Sequence, residues 1–90
     1  MTKILYTENY NKKASKFFKK HSVLINLYEK TLLLAEVNIK HPSLRLHKLK
    51  GPLSDLHSIS INMSYRIIIY FLIKKDTIIP IDIGTHDEVY

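Results

Sequence analysis

The sequence predicts a small α+β domain. A helix hairpin lies on one face of a mainly antiparallel four-stranded sheet, in the order β-α-α-β-β-β. Three observations carry this. The first half repeats apolar residues at helical spacing: Tyr10, Ala14, Phe17 and Phe18, then Leu24, Leu27, Tyr28, Thr31, Leu34 and Ala35. The second half switches to alternating or continuous β-branched runs, over Leu56–Ile61, Arg66–Ile73 and Thr77–Ile83. Pro42 and the Gly51-Pro52 pair punctuate the stretch between the two patterns.

Lys3-Ile4-Leu5-Tyr6 reads as a short first strand. Thr7 is placed to cap a helix running from about Glu8 to Lys20. Lys12, Lys13, Lys16, Lys19 and Lys20 occupy its remaining surface, and the last-turn lysines suit the negative end of the helix dipole. These lysines are either a solvated face or a charged face for structured RNA. Ser22 is the expected cap of the second helix, about Val23 to Val37 or Asn38, and Pro42 stops its continuation. With His21-Ser22 as a tight link, the two helices form an antiparallel hairpin.

Residues 40–50 are a basic connector without a single acid, carrying Lys40, His41, Arg45, His47, Lys48 and Lys50. Leu44, Leu46 and Leu49 are spaced to pin it to the core. A β-meander follows. Ile59 and Ile61 point one way, toward the helices, and Ser58 and Ser60 the other, toward an uncovered side that is the natural binding surface. Arg66 to Ile73 is apolar enough for a strand covered on both faces. Pro80 lacks a backbone donor, so the last strand is an edge strand or is locally irregular there.

Ninety residues make one domain, spanning residues 1–90. No apolar run approaches a membrane span, and the first residues do not resemble a secretory signal. The chain has no cysteine, which excludes disulfides and thiolate metal sites and is compatible with a cytoplasmic location. Histidine spacing fits no metal site, and no metal or other cofactor is expected. Two glycines exclude a glycine-rich phosphate loop. Fourteen Lys and Arg against eight Asp and Glu give a net charge of +6, a field that draws RNA, DNA or an acidic protein.

Chemistry concentrates at the end of the last strand. Gly84 allows a sharp turn, after which come His86 and Tyr90. Histidine is the residue type whose unperturbed pKa suits acid–base catalysis, so His86 is either a candidate for that role or simply a hydrogen-bonded loop residue. Arg66, Ile68 and Tyr70 share one side of the third strand, and Ile78, Pro80 and Asp82 one side of the fourth. If Arg66 opens toward Ser58 and Ser60, its planar fork can grip a phosphate. The alternative is a surface ion pair with Asp82 or Glu88. Tyr90 either stacks on a base or packs the last segment.

Three blocks taken together resemble the RelE/ParE superfamily of bacterial toxins, most nearly its RelE/YafQ mRNA-interferase branch. They are Leu46-His47-Lys48-Leu49-Lys50-Gly51-Pro52-Leu53, Ser64-Tyr65-Arg66-Ile67-Ile68-Ile69-Tyr70 and Ile83-Gly84-Thr85-His86-Asp87-Glu88-Val89-Tyr90. The resemblance covers nearly the whole chain. It implies the toxin of a type II toxin–antitoxin module: a metal-independent endoribonuclease that cleaves mRNA on the ribosome, blocks translation and is neutralised by a cognate antitoxin.

The resemblance also implies site residues. His47 and His86 fall on site histidines of YafQ-like toxins, Arg66 on a phosphate-binding arginine, and Tyr90 on a terminal aromatic. Arg45, Lys48, Lys50, Ser58, Ser60 and Tyr65 are the expected RNA contacts. There are departures. Ser58 and Ser60 stand where relatives carry lysines or a histidine, Ser64 where YafQ-like toxins have aspartate, and Asp82 where they have arginine. The non-catalytic ParE branch, which inhibits DNA gyrase, is the alternative that the strand serines favour. The antitoxin is expected to present an acidic or amphipathic segment to the basic connector and the open face.

Overall fold

The structure is a computed structural model, and it describes residues 2–49, 56–72 and 75–85. Helix α1 spans Glu8–Lys20 and helix α2 spans Ile25–Asn38. The strands are β1 (Lys3–Ile4), β2 (His47–Lys48), β3 (Leu56–Ser60), β4 (Tyr65–Leu72) and β5 (Thr77–Thr85). They form one five-stranded sheet in the order β1-β5-β4-β3-β2. β1 runs parallel to β5 and every other pairing is antiparallel.

The α+β layout with a helix hairpin is as the sequence predicts, but the sheet has five strands rather than four. The fifth comes from the basic connector. His47 and Lys48 pair with Ser58 and His57. Two residues are too few to show alternation, so no periodicity announces this strand. Its anchors do announce themselves: Leu44 and Leu49 are buried and Leu46 packs against the core.

Local chemistry explains the helix ends. The Thr7 side chain accepts a hydrogen bond from the Tyr10 N–H at 3.1 Å, a cap of about 1 kcal/mol. Glu8 sits in the first turn of α1 and Lys19 and Lys20 in the last, all favourable to the dipole. Between the helices, Ser22–Leu24 form a 3-10 turn, and α2 starts at Ile25 without a side-chain cap. The expected Ser22 cap is therefore replaced by a tighter turn. After α2, the His41 Nδ1 accepts from the Ser43 N–H at 3.2 Å and Pro42 opens a second 3-10 turn.

Tyr10 is the hinge pin of the hairpin. It is fully buried, and its hydroxyl lies 2.7 Å from that of Tyr28 on α2. Burial, more than the neighbouring phenol of Tyr28, pushes its ionisation far up, so it holds its proton. On the sheet, Ile59, Ile67, Ile69 and Ile78 are completely buried beneath the helices with Ala35 and Leu44. As expected, Ile59 and Ile61 face the helices.

β5 carries the one irregularity of the ladder. Ile68 pairs with Asp82 but Ile69 pairs with Pro80, so Ile81 is an extra residue on β5. The bulge falls beside the proline, where no N–H is available for regular pairing. β5 is not an edge strand along its first residues, because β1 covers Thr77 and Ile78. The strand is irregular at Pro80, one of the two forms the sequence allowed.

Candidate functional site

Strand alternation sorts the site residues into two faces. Ile67 and Ile69 of β4 join the helix-side core, so Arg66 and Ile68 between them point to the other face. Arg66 lies in a row with Ser60 on β3 and Gly84 on β5. Gly84 has no side chain to compete for space over this row. The guanidinium is half-buried, and its Nη1 donates to the Ser58 Oγ at 3.5 Å. A contact this long orients the group without saturating its planar set of donors.

Ser58 is the register partner of His47, so the imidazole stands on the Arg66 face. His47 is exposed on the outer strand. Arg66 and His47 are separated by two inter-strand spacings and a two-residue step along β4, about 12 Å between backbones, with Ser58 between them. That gap suits a phosphate held by the guanidinium, with an imidazole reaching the atoms bonded to it.

The expected open side is not bare. Ser58 is fully buried and Ser60 nearly so, with the Ser60 hydroxyl donating to the Asn62 carbonyl at 2.6 Å. Ile68 and Leu49 are buried as well, apart from the helix-side cluster. These serines hold their neighbours in place instead of lining open solvent. The same alternation moves two other expected contacts away. Lys48 pairs with His57 on the helix-side face, and Tyr65 packs against Phe17 and His21 there, with ring centroids 5.3 Å and 4.8 Å away. Arg45 is exposed at a left-handed turn, φ 48°, leading into β2. Lys50, His86 and Tyr90 lie outside the described residues.

The Arg66–Asp82 ion pair does not form. Among the described residues the ion pair found is Lys12–Glu8 on α1, at 3.7 Å. Ile78 and Pro80 sit opposite Phe71 and Ile69 on the helix-side face, and Asp82, past the bulge at Ile81, lines a cleft with Lys13, Lys16 and Lys20 of α1, so the three keep the shared side that the sequence predicts. The Asp82 Oδ1 accepts from the Ile83 N–H at 2.8 Å.

His57 is a feature that sequence reasoning passed over. Its Nδ1 is buried with no hydrogen-bond partner among the described residues, and its ring meets Phe71 edge-on at 5.9 Å. Burial first, then the Lys48 and His47 charges, lower its pKa and keep it neutral. Among the described residues, no three His, Asp or Glu side chains gather as metal ligands, and no helix is long and apolar enough to cross a membrane.

No family model and no curated protein matches the sequence. Solved structures do. YafQ from E. coli superposes with a TM-score of 0.79 at 16% identity, covering 100% of this chain and 99% of that one. YafQ in the E. coli DinJ–YafQ complex gives 0.78 at 17%, with 100% and 99% covered. A YoeB/ParE toxin from Agrobacterium tumefaciens gives 0.72 at 14%, with 94% and 99% covered. The chain shares the fold of these solved toxins.

Proposed function

We propose that the chain, as one domain over residues 1–90, is the toxin of a type II toxin–antitoxin module and cleaves mRNA on the ribosome in the cytoplasm. The observation that carries this is Arg66 on the sheet face away from the helices, with His47 across Ser58 from it, in a fold shared end to end with YafQ. The net charge of +6 supports a polyanionic substrate.

In the proposed reaction, the 2′-OH attacks the adjacent phosphorus in line. A base takes its proton, the bond to the 5′-oxygen breaks, and an acid protonates that oxygen. The products are a 2′,3′-cyclic phosphate and a free 5′-hydroxyl, and no metal is needed. Arg66, with Lys50, neutralises charge building on the phosphate. His47 and His86 serve as the acid–base pair, each role contributing roughly 10²–10⁴-fold. Tyr90 stacks on the nucleotide. The neutral serines of β3 add no charge, so Arg66 bears most of the electrostatic load.

The proposed partner is a cognate antitoxin with an acidic or amphipathic segment. The DinJ–YafQ complex supports this by analogy of fold. Induced expression in bacteria tests the whole reading. Growth arrest with cuts in mRNA mapped by primer extension, both lost in Arg66→Ala and His86→Ala, is the expected result. The second reading is a ParE-like gyrase inhibitor, favoured by the buried, uncharged Ser58 and Ser60. DNA damage with intact mRNA would select it.

A further inference from the structure

We propose that the cleft between α1 and the bulged end of β5 is a nucleotide-binding site, distinct from the Arg66 face and on the opposite side of the sheet. It measures about 320 Å³, within the range of small-ligand sites. Three kinds of group converge in it. Lys13, Lys16 and Lys20 follow one flank of α1 at successive turns. The Phe17 and His21 rings, 4.4 Å apart, form one wall, and Tyr65 braces both from behind at 5.3 Å and 4.8 Å. Asp82, beside the bulge, lines the same cleft and brings a carboxylate to it.

Each group matches one part of a nucleotide. Lysine ammonium groups in a row hold phosphate as point charges. Aromatic rings, histidine included, give a base a stacking surface. A carboxylate accepts from the amino N–H groups of guanine, adenine or cytosine. One Asp82 oxygen is occupied by the Ile83 N–H, which fixes the carboxylate's direction. Among the described residues, the lysines of this flank form no ion pair, so their charge is available to a ligand. An acidic peptide would satisfy the lysines but would leave the rings and Asp82 unused or opposed. Base and phosphate together account for all three.

The ligand chemistry is a base joined to a phosphate, either as a free nucleotide or as one unit of an RNA strand. The assignment does not rest on the cleavage reading, since no residue of the Arg66 face takes part. The test is titration of the full chain by GMP and by a six-nucleotide RNA, followed by NMR. Saturable shifts at Phe17, His21 and Asp82 are expected. Affinity should fall at least about fivefold in His21→Ala and in Lys16→Gln/Lys20→Gln, the lower end for losing one stacking partner. The lysine variant alters exposed positions only, so it keeps the test valid if His21→Ala folds poorly. Tighter binding of the hexanucleotide than of GMP assigns the strand as the source, and equal binding assigns the free nucleotide. The proposal is overturned if the shifts lie elsewhere, if both variants bind as the parent does, or if inorganic phosphate or a hexaglutamate peptide reproduces the same shifts at the same concentration.

Discussion

The two faces of this sheet are built from the same strands and do opposite work. The helix-side face is apolar and closed: Ile59, Ile67, Ile69 and Ile78 have no exposed surface at all. The far face is a mixed surface on which Arg66 is held by a hydroxyl and His47 stands exposed. Alternation along β4 forces this division, because adjacent residues of one strand serve different faces. Arg66 is therefore framed on either side by residues that cannot be altered without disturbing the core. The consequence is a site whose backbone is rigid and whose chemistry is carried by few side chains.

Substitutions should separate the faces. The largest effect is expected from Ile67→Ala, which opens a cavity in the central strand and costs about 2–5 kcal/mol. For a domain with roughly 5–15 kcal/mol in total, urea melts should show a large fall in midpoint. Arg66→Ala should leave the thermal midpoint within a few degrees of the parent. It should nevertheless lower RNA cleavage by roughly 10²-fold or more, read by primer extension. If Arg66→Ala unfolds the chain instead, the division between the faces is wrong.

Tyr10→Phe leaves the Tyr28 hydroxyl without its partner and should cost about 1 kcal/mol in denaturant melts. It also sharpens the comparison through pH. Folding raises the Tyr10 pKa, so above pH ~10 the unfolded chain loses a proton that the native chain keeps, and stability falls as pH rises. The phenylalanine variant should lose part of that alkaline decline.

The smallest effect is at His57, whose pKa folding lowers. Below pH ~6.5 the unfolded chain binds a proton that the native chain refuses, so stability drops as pH falls through that range. His57→Phe should flatten the acid limb of a melting-point-against-pH curve by a small margin. An unchanged limb would mean that the ring is not held neutral.

The helix-side face was legible because burial imposes periods of 3.6 and 2 on the residues that face it. Ala14 of α1, Ala35 of α2 and Ile59 and Ile61 of β3 all lie where that rule puts them. The far face was legible only in part. Arg66 was found through its strand parity, but parity also applies to its neighbour Tyr65, which the motif had drawn into the site and the pleat sends to Phe17. Asp82 was offered as an ion-pair partner of Arg66 but lines the α1 cleft on the other face, and no residue type marks the extra residue at Ile81 beside it. β2 is held by backbone pairing and flanking leucines, not by its own two side chains. The burial of Ser58 and Ser60 could not be read at all, since a small hydroxyl suits a solvated face and a packed one equally.

The pairing of β1 with β5 sets a timetable. Thr2 donates to Asp76 across 74 positions, and Lys3 sits beside Thr77. Closing so long a loop is slow compared with forming the helix hairpin, whose contacts are local. During synthesis α1 and α2 emerge with no strand to lie on. The first strand waits for the last one, and the guanidinium of β4 acquires its flanking glycine only when β5 arrives. The sheet face that carries Arg66 is therefore completed only once β5 has been made.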